Sequence, residues 1–585
     1  WMDIWRYSDP WGLGDQHRNS QRHLWHWRDW IVESLNHDLP YDAMVRRMLA
    51  ADESHPTDLD QVRATGFLAR NYFLFNRHQW LDETVEHVGK AFLGLTLNCA
   101  KCHDHKYDPV AQSDYYRFRA FFEPYHARLD VLPGEPDLHR DGLPRVYDRD
   151  LETPTYRFVR GQETQPDKSR RLEPGVPPLL AFRKIEISPV SLPVEAWQPE
   201  RRPWVIDAHG RAADARVARA RDALRSARQP AAPENKNADS AGIRESELRV
   251  AEAELAGAEA DQQAVGRRGE ALRAEWSGPA PGADSARQAA VRAEWALAVA
   301  RARVTVAHAE LKLARQAPGT SSDAAKEVAT AREKLAEAER RLNGPVAPGD
   351  TFTRLTGAAW TPTRFLDSTK DDPAVPFPAT STGRRSALAA WITDPRHPLT
   401  ARVAVNHLWT RHFGTPLVAT VFDFGRKGAP PTHPELLDWL AAELVDHGWS
   451  LKHLHRLLVT SATYRLESSV AGADDQVARD PDNRWWWRRT PIRLESQVVR
   501  DSLLVHAGSL DPRLGGPPVT PPEQAASRRR SLYFQHSNND RNLFLTVFDE
   551  AAVKECYRRE QSVVPQQALA LLNSRLVQDA APAMV

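Results

Sequence analysis

The chain has 585 residues, 41% of them hydrophobic, and a mean hydropathy of −0.56. Its 78 Lys and Arg against 77 Asp and Glu leave a formal net charge of +1, so nothing in the charge balance demands nucleic acid or an anionic membrane as partner. No run of about 18 apolar residues predicts a transmembrane helix. Three cysteines exclude a disulfide scaffold, and the length predicts about three or four domains.

The opening WMDIWRYSDPWG has neither the charged start nor the apolar stretch of a signal peptide and is no natural start, so the expectation is a fragment whose true N-terminus is missing, and export has to be argued from chemistry. Residues 1–130 read as mainly helical. Trp27, Trp30, Ile31 and Leu35, then Tyr41, Met44, Val45 and Met48, recur at helical spacing. A further helix is predicted from about Asp82, as N-cap, to Leu97. It runs into Cys99-Ala100-Lys101-Cys102-His103.

This C-x-x-C-H pentapeptide is the most specific signal in the chain. With 3 Cys and 22 His in 585 residues, chance would place it in on the order of one chain in a thousand. Two thiols one helical turn apart can form thioether bonds to both vinyl groups of a porphyrin, and the next imidazole can face the iron. Cys99, Cys102 and His103 are therefore the expected holders of one covalent c-type haem, with His103 the proximal iron ligand. None of the four methionines stands out as a sixth ligand. Met44 and Met48 read as core, and histidines such as His23, His26, His78 or His87 are the alternatives. Zinc on Cys99, Cys102, His103 and His105 is a competing reading, as are a redox dithiol and plain buried thiols. Asp104 and Asp108 follow at once. They could hydrogen-bond the ligand histidine, hold calcium, or simply cap and turn the chain before Pro109.

Residues 131–210 are Pro-rich and irregular, with PTYRFVRG and PLLAFRKIEIS as predicted strands. Residues 211–345 are dominated by Ala, Arg, Glu and Leu, broken by QPAAPENKNADSAG, SGPAPGADS and QAPGTSS. They predict three or four helices folded back as antiparallel hairpins, a coiled-coil-like arm.

Residues 346–585 regain a globular composition. THPELLDWLAAELVDHGWSLKHLHRLLVTSATYRL predicts two amphipathic helices, with Pro434 at the first helical position and Gly448 at a C-terminus. EAAVKECYRREQSVVPQQALALLNSRLV predicts helix, loop, helix. Cys556 reads as a buried thiol. Arg402, Asn406 and His407 head a dense set of polar residues that includes Arg411, His412, Asp423, Glu435, Arg493, Glu495, Arg500, Asp501, His536, Asp549, Glu555, Arg558 and Gln566. Such a set either lines a cleft or fixes helices as a buried ion-pair network. The fold expected is mainly α: two helical globular domains separated by the Pro-rich segment and the inserted helical arm.

LGLTLNCAKCHDHKYDPVAQSDYYRFRAFF (93–122) and the preceding WRDWIVESLNHDLPYD resemble the planctomycete cytochrome-C-like domain. GRRSALAAWITDPRHPLTARVAVNHLWTRHFGTPLV and ECYRREQSVVPQQALALLNS resemble its usual C-terminal companion, a domain of unknown function. The resemblance covers about 1–205 and 350–585 and implies an exported protein, periplasmic or otherwise extracytoplasmic. It also implies a carbohydrate-binding-like insert, whose place the helical arm takes here. Three readings of function result. One is an exported haem protein in electron transfer or haem redox chemistry, with a redox partner protein and a link to the breakdown of complex organic matter. The second is a cell-envelope structural or binding protein with a zinc-filled or empty Cys/His site. The third is a hydrolase sited in the C-terminal polar set.

Overall fold

The structure is a computed structural model that describes residues 1–13, 16–229, 238–278, 282–316, 322–363, 371–554 and 557–584. Cys556 and Glu555 lie outside the described residues. The chain is mainly helical. No described helix is long and apolar enough to cross a membrane.

Two compact units emerge. The first gathers residues 1–129, 143–197 and 360–585; the second gathers 130–142 and 198–359. The two globular domains expected from the sequence are therefore one unit, and the cause is chemical. Arg385, fully buried, makes a two-pronged contact with Asp52 at 2.6 and 2.7 Å. It also lies 3.0 Å from Asp148 and 3.3 Å from Glu53. Charges taken out of water hold only when paired and hydrogen-bonded, so this cluster ties the two ends of the chain into one interior.

Within the first unit, α1 (Trp25–Asn36) and α2 (Tyr41–Ser54) are separated at Pro40, which cannot continue a helix. Trp27, Trp30, Ile31, Met44, Val45 and Met48 are all core, as their spacing predicts. The helix expected from Asp82 begins earlier, as α3 (Arg77–Val88), because Asn76 accepts the backbone N–H groups of His78 and Gln79 and is the true cap. A π turn over Gly89–Leu93 ends it. A 3₁₀ turn over Leu97–Lys101 follows, then α4 (Gln112–Arg119).

Strands β1 (Tyr125–Asp130) and β2 (Leu143–Asp148) pair. β3 (Thr155–Phe158) forms an antiparallel hairpin with β4 (Pro166–Leu172). The strand expected over 178–188 does not form among the described residues. Pro178–Leu180 is a 3₁₀ turn, since Pro177 and Pro178 remove two ladder donors.

The second unit is the arm, and it begins earlier than residue 211. Four long helices are described: α5 (Val205–Arg228), α6 (Ala238–Trp276), α7 (Ala283–Ala314) and α8 (Ser322–Asn343). Their ion pairs run in opposite order along neighbours, which makes them antiparallel. Arg216, Arg221 and Arg228 meet Asp261, Glu259 and Glu252. Arg303, Glu310 and Lys312 meet Glu339, Arg332 and Glu327. Most of these groups are exposed, so each pair contributes at most about 0.2–1 kcal/mol. A seam of Ile206, Ala213, Val265, Leu272 and Leu355 provides the core.

Returning to the first unit, α9 (Arg384–Ile392) carries Arg385, and α10 (Thr400–Phe413) precedes α11 (Pro434–Asp446) and α12 (Leu451–Thr460). Pro434 takes the first helical position and Gly448 has φ +65°, both as predicted. The tail forms only its second helical part, Pro565–Asn573 and Arg575–Ala580, among the described residues.

Candidate functional site

Cys99 and Cys102 lie on the 3₁₀ turn between α3 and α4 and at its end. Both thiols are free and exposed. Residues three apart eclipse one another in 3₁₀ geometry, so the two thiols share the outer face. His103 is exposed beside them, and its Nδ1 lies 2.6 Å from the backbone oxygen of Asp104. A carbonyl only accepts, so Nδ1 is the donor, and in the neutral tautomer that this bond selects the lone pair is on Nε2. A backbone carbonyl holding Nδ1–H is the usual way a protein orients an imidazole toward a metal.

The turn is fixed from behind. Tyr116 and Gln112 of α4 donate to the Lys101 carbonyl at 3.0 and 2.9 Å. Lys101 reaches Asp82 at 2.5 Å, and Asp82 also accepts from Tyr115 and Arg119. Burial, with the Asp82 charge beside it, holds the Tyr115 hydroxyl protonated well above its usual range. Gly161, φ +74°, closes the hairpin of β3 and β4 over Cys102. A Cβ there would stand 2.5 Å from the Cys102 sulfur. The sequence reading missed this glycine, although the turn Val159-Arg160-Gly161 carried the signal.

The flanking carboxylates hold the backbone around the turn. Asp104 accepts the N–H of Gln112 at 2.8 Å, capping α4. Asp108 accepts the N–H of Arg426 at 2.6 Å. His105, offered as a further ligand, has both nitrogens engaged. Nδ1 accepts from the N–H groups of Asp108 and Tyr107 at 2.9 and 3.3 Å, and Nε2 donates to Thr96 at 3.1 Å. Among the proposed sixth ligands, His87 is sealed in the core against the Tyr557 hydroxyl at 2.7 Å. Burial pushes its pKa well down.

Arg402, Asn406 and His407 do not converge. Asn406 is wholly buried and clamps Val418 at both backbone atoms, 2.9 and 3.0 Å. Arg402 pairs with Asp438 at 2.6 Å. His407 is buried, and burial pushes its pKa down to about 3. Of the remaining polar residues, Asp423, Glu435, Arg500, Asp501 and Gln566 stand apart from the cavity that gathers a further group. Arg411, His412, Arg493, Glu495, His536 and Asp549 line a cavity of about 980 Å³, together with Arg558 and with Asp3 of the N-terminal segment. Asp3 pairs with Arg559 at 2.7 Å and Arg411 at 3.2 Å. Burial opposes its charge, yet the two guanidinium groups hold its carboxyl far below the usual range. The ion-paired Asp3, Arg411 and Arg559 thus stand in the wall of this cavity.

Residues 1–127 match the family described as PSCyt2, a protein of unknown function (DUF1549), and residues 384–585 match PSD1, a protein of unknown function (DUF1553). These two segments are thus similar to the planctomycete-type pair of domains of unknown function. No curated protein and no solved structure matches it.

Proposed function

We propose that the chain is an exported protein carrying one c-type haem on Cys99, Cys102 and His103, and that it exchanges electrons at its surface. The observation that supports this is the trio itself: two free thiols on one outward-facing turn, next to an imidazole whose Nδ1–H is held by Asp104. The donor set fits a haem c. When bound, that group supplies a one-electron iron couple. His103 would ligate through Nε2, and the Asp104 carbonyl would fix the ring. Zinc fits less well, because the fourth ligand it needs would be His105, whose nitrogens already hold the loop. An exposed site suits transfer to a partner redox protein better than chemistry in a closed pocket. Thioether attachment takes place outside the cytoplasm, which is where the reading puts the chain. The test is expression in an exporting host that carries haem-attachment machinery. A haem stain that survives SDS denaturation and disappears in C99A/C102A is expected. An unstained chain beside a stained control cytochrome would overturn the reading.

A second reading rests on the cavity. Arg489 and Arg493 line it, and each has an Nη1 with no acceptor among the described residues. Buried donors are normally satisfied, so an oxygen-rich anionic ligand fits this wall. Calorimetric titration with carboxylated and sulfated oligosaccharides tests it. R493Q should abolish binding, and no binding by the unaltered chain would remove the reading.

A further inference from the structure

A turn away from the haem motif gathers a second set of donor atoms. Helix α11 ends at Asp446, and α12 starts at Leu451. Glu443 and His447 are one helical turn apart, and His453 comes from the first turn of α12. The Glu443 Oε1 lies 3.2 Å from His447 Nδ1 and 2.9 Å from His453 Nε2. The two rings are parallel within 8°, with centroids 3.9 Å apart. One donor atom from each of the three residues lies within 4.8 Å of the other two.

The backbone that holds them is fixed independently of any ligand. Trp449 is buried, and its N–H reaches the Leu444 carbonyl at 2.7 Å. Gly448 and Trp449 both have positive φ, which folds α12 back beside α11. Ser450 caps α12 by accepting the His453 N–H at 3.0 Å, and it donates to Asp38 at 2.5 Å. Asp38 also accepts the Lys452 N–H at 3.0 Å. The backbone is therefore preorganised, and His447, whose Nδ1 also meets the Glu443 carbonyl at 3.0 Å, has only to turn its half-exposed ring out of the stack to bring a lone pair to an ion held by Glu443 and His453.

We infer that Glu443, His447 and His453 form a binding site for one divalent transition-metal ion of the zinc class. Two imidazoles and one carboxylate suit borderline ions such as zinc, cobalt or nickel, and not calcium or magnesium, which take oxygen ligands. Three protein donors leave a coordination position for water or a ligand. His447 is about half exposed, so an ion there would face solvent. The set is spaced Glu-x₃-His-x₅-His across a Gly-Trp turn, and it shares no residue with the haem site or the cavity.

Cobalt titration of the full-length chain, purified without a polyhistidine tag, tests the inference. Three proteins are compared: the unaltered chain, C99S/C102S and H447A/H453A. One equivalent should bind to the unaltered chain and to C99S/C102S, giving visible cobalt bands without thiolate charge transfer. Affinity should fall more than about tenfold in H447A/H453A. E443Q should weaken binding while leaving the melting temperature within about 2 °C, which separates a lost ligand from a lost fold. No binding to the unaltered chain, or binding that survives H447A/H453A, overturns the site. Loss in C99S/C102S alone, with thiolate bands in the unaltered chain, overturns it as well and assigns the metal to the cysteines.

Discussion

The carboxylate of Asp108 accepts the backbone N–H of Arg426 at 2.6 Å. That single bond joins the loop that follows the C-x-x-C-H motif to a loop more than 300 residues later in the chain. Gly425 packs so closely that a Cβ there would fall 2.3 Å from the Asp108 carboxylate. One step earlier, the Phe424 N–H reaches the Gly94 carbonyl at 2.7 Å. The segments that match PSCyt2 and PSD1 thus share one structural joint, built from Gly94 and Asp108 on one side and Phe424 to Arg426 on the other.

Removing the acceptor should therefore loosen both segments together. D108A takes the acceptor from the part-buried Arg426 N–H, a loss of about 0.5–1.5 kcal/mol. D108N keeps an acceptor oxygen and should recover most of that loss. Urea unfolding of the three proteins reads the difference. Equal stability of D108A and the unaltered chain would show that the bond carries no weight.

The same pair shows what the sequence could tell. Cys99, Cys102 and His103 were legible because their chemistry depends on local spacing. Asp104 and Asp108 were legible only as alternatives, ligand support or chain-turning, because Asp108's partner is a backbone amide that no motif marks. On α10, Arg402 and Asn406 do share a helical face. That helix, however, is buried on nearly every side, so periodicity could not tell the face that clamps Val418 from the edge, Thr410 to His412, that lines the cavity. The merging of the two globular domains was invisible for a similar reason. It depends on Arg385 meeting carboxylates from α2 and β2, and long-range pairing of buried charges leaves no local pattern.

Gly161 sets a second expectation. Its φ of +74° is strained for any other residue, and an added Cβ would press on the Cys102 sulfur. G161A should shift the hairpin or the thiol, and so lower haem loading in the attachment host while total protein changes little. The ratio of haem stain to protein stain measures it. Full loading in G161A would show that the hairpin is not part of the attachment face.

The buried cluster around Arg385 makes a pH prediction. Three carboxylates face one guanidinium. Burial, with Asp148 and Asp52 beside it, pushes the Glu53 pKa up to about 7 despite the pull of Arg385. The Ser381 hydroxyl lies 3.0 Å from Glu53 and 2.9 Å from Asp148. One hydroxyl proton cannot serve both anions, so the carboxyl proton of Glu53 completes the chain of bonds. A pKa raised on folding stabilises at low pH. Glu53's contribution is complete below its unfolded value of 4.5 and is lost as pH rises through about 7. E53Q, permanently neutral, should gain on the unaltered chain by roughly 3 kcal/mol between pH 4.5 and pH 8. A pH-independent difference in denaturation midpoints would contradict the assignment.

Asn406 decides between a hydrolytic and a structural role for α10. Its side chain gives one hydrogen bond to Val418 and takes one from it, with no exposure to solvent. N406A leaves a buried N–H and a buried C=O unpaired, each worth about 1–3 kcal/mol, and opens a small cavity besides. N406D restores the acceptor but sets a carboxylate against the Val418 carbonyl, so it should recover little. H407A, by contrast, removes a ring whose Nε2 has no hydrogen-bond partner among the described residues, and its effect should come only from the space it vacates. Were Asn406 a reacting group, N406A would lose turnover at unchanged stability. As a clamp, it should lose stability first, with haem loading of whatever folds left intact.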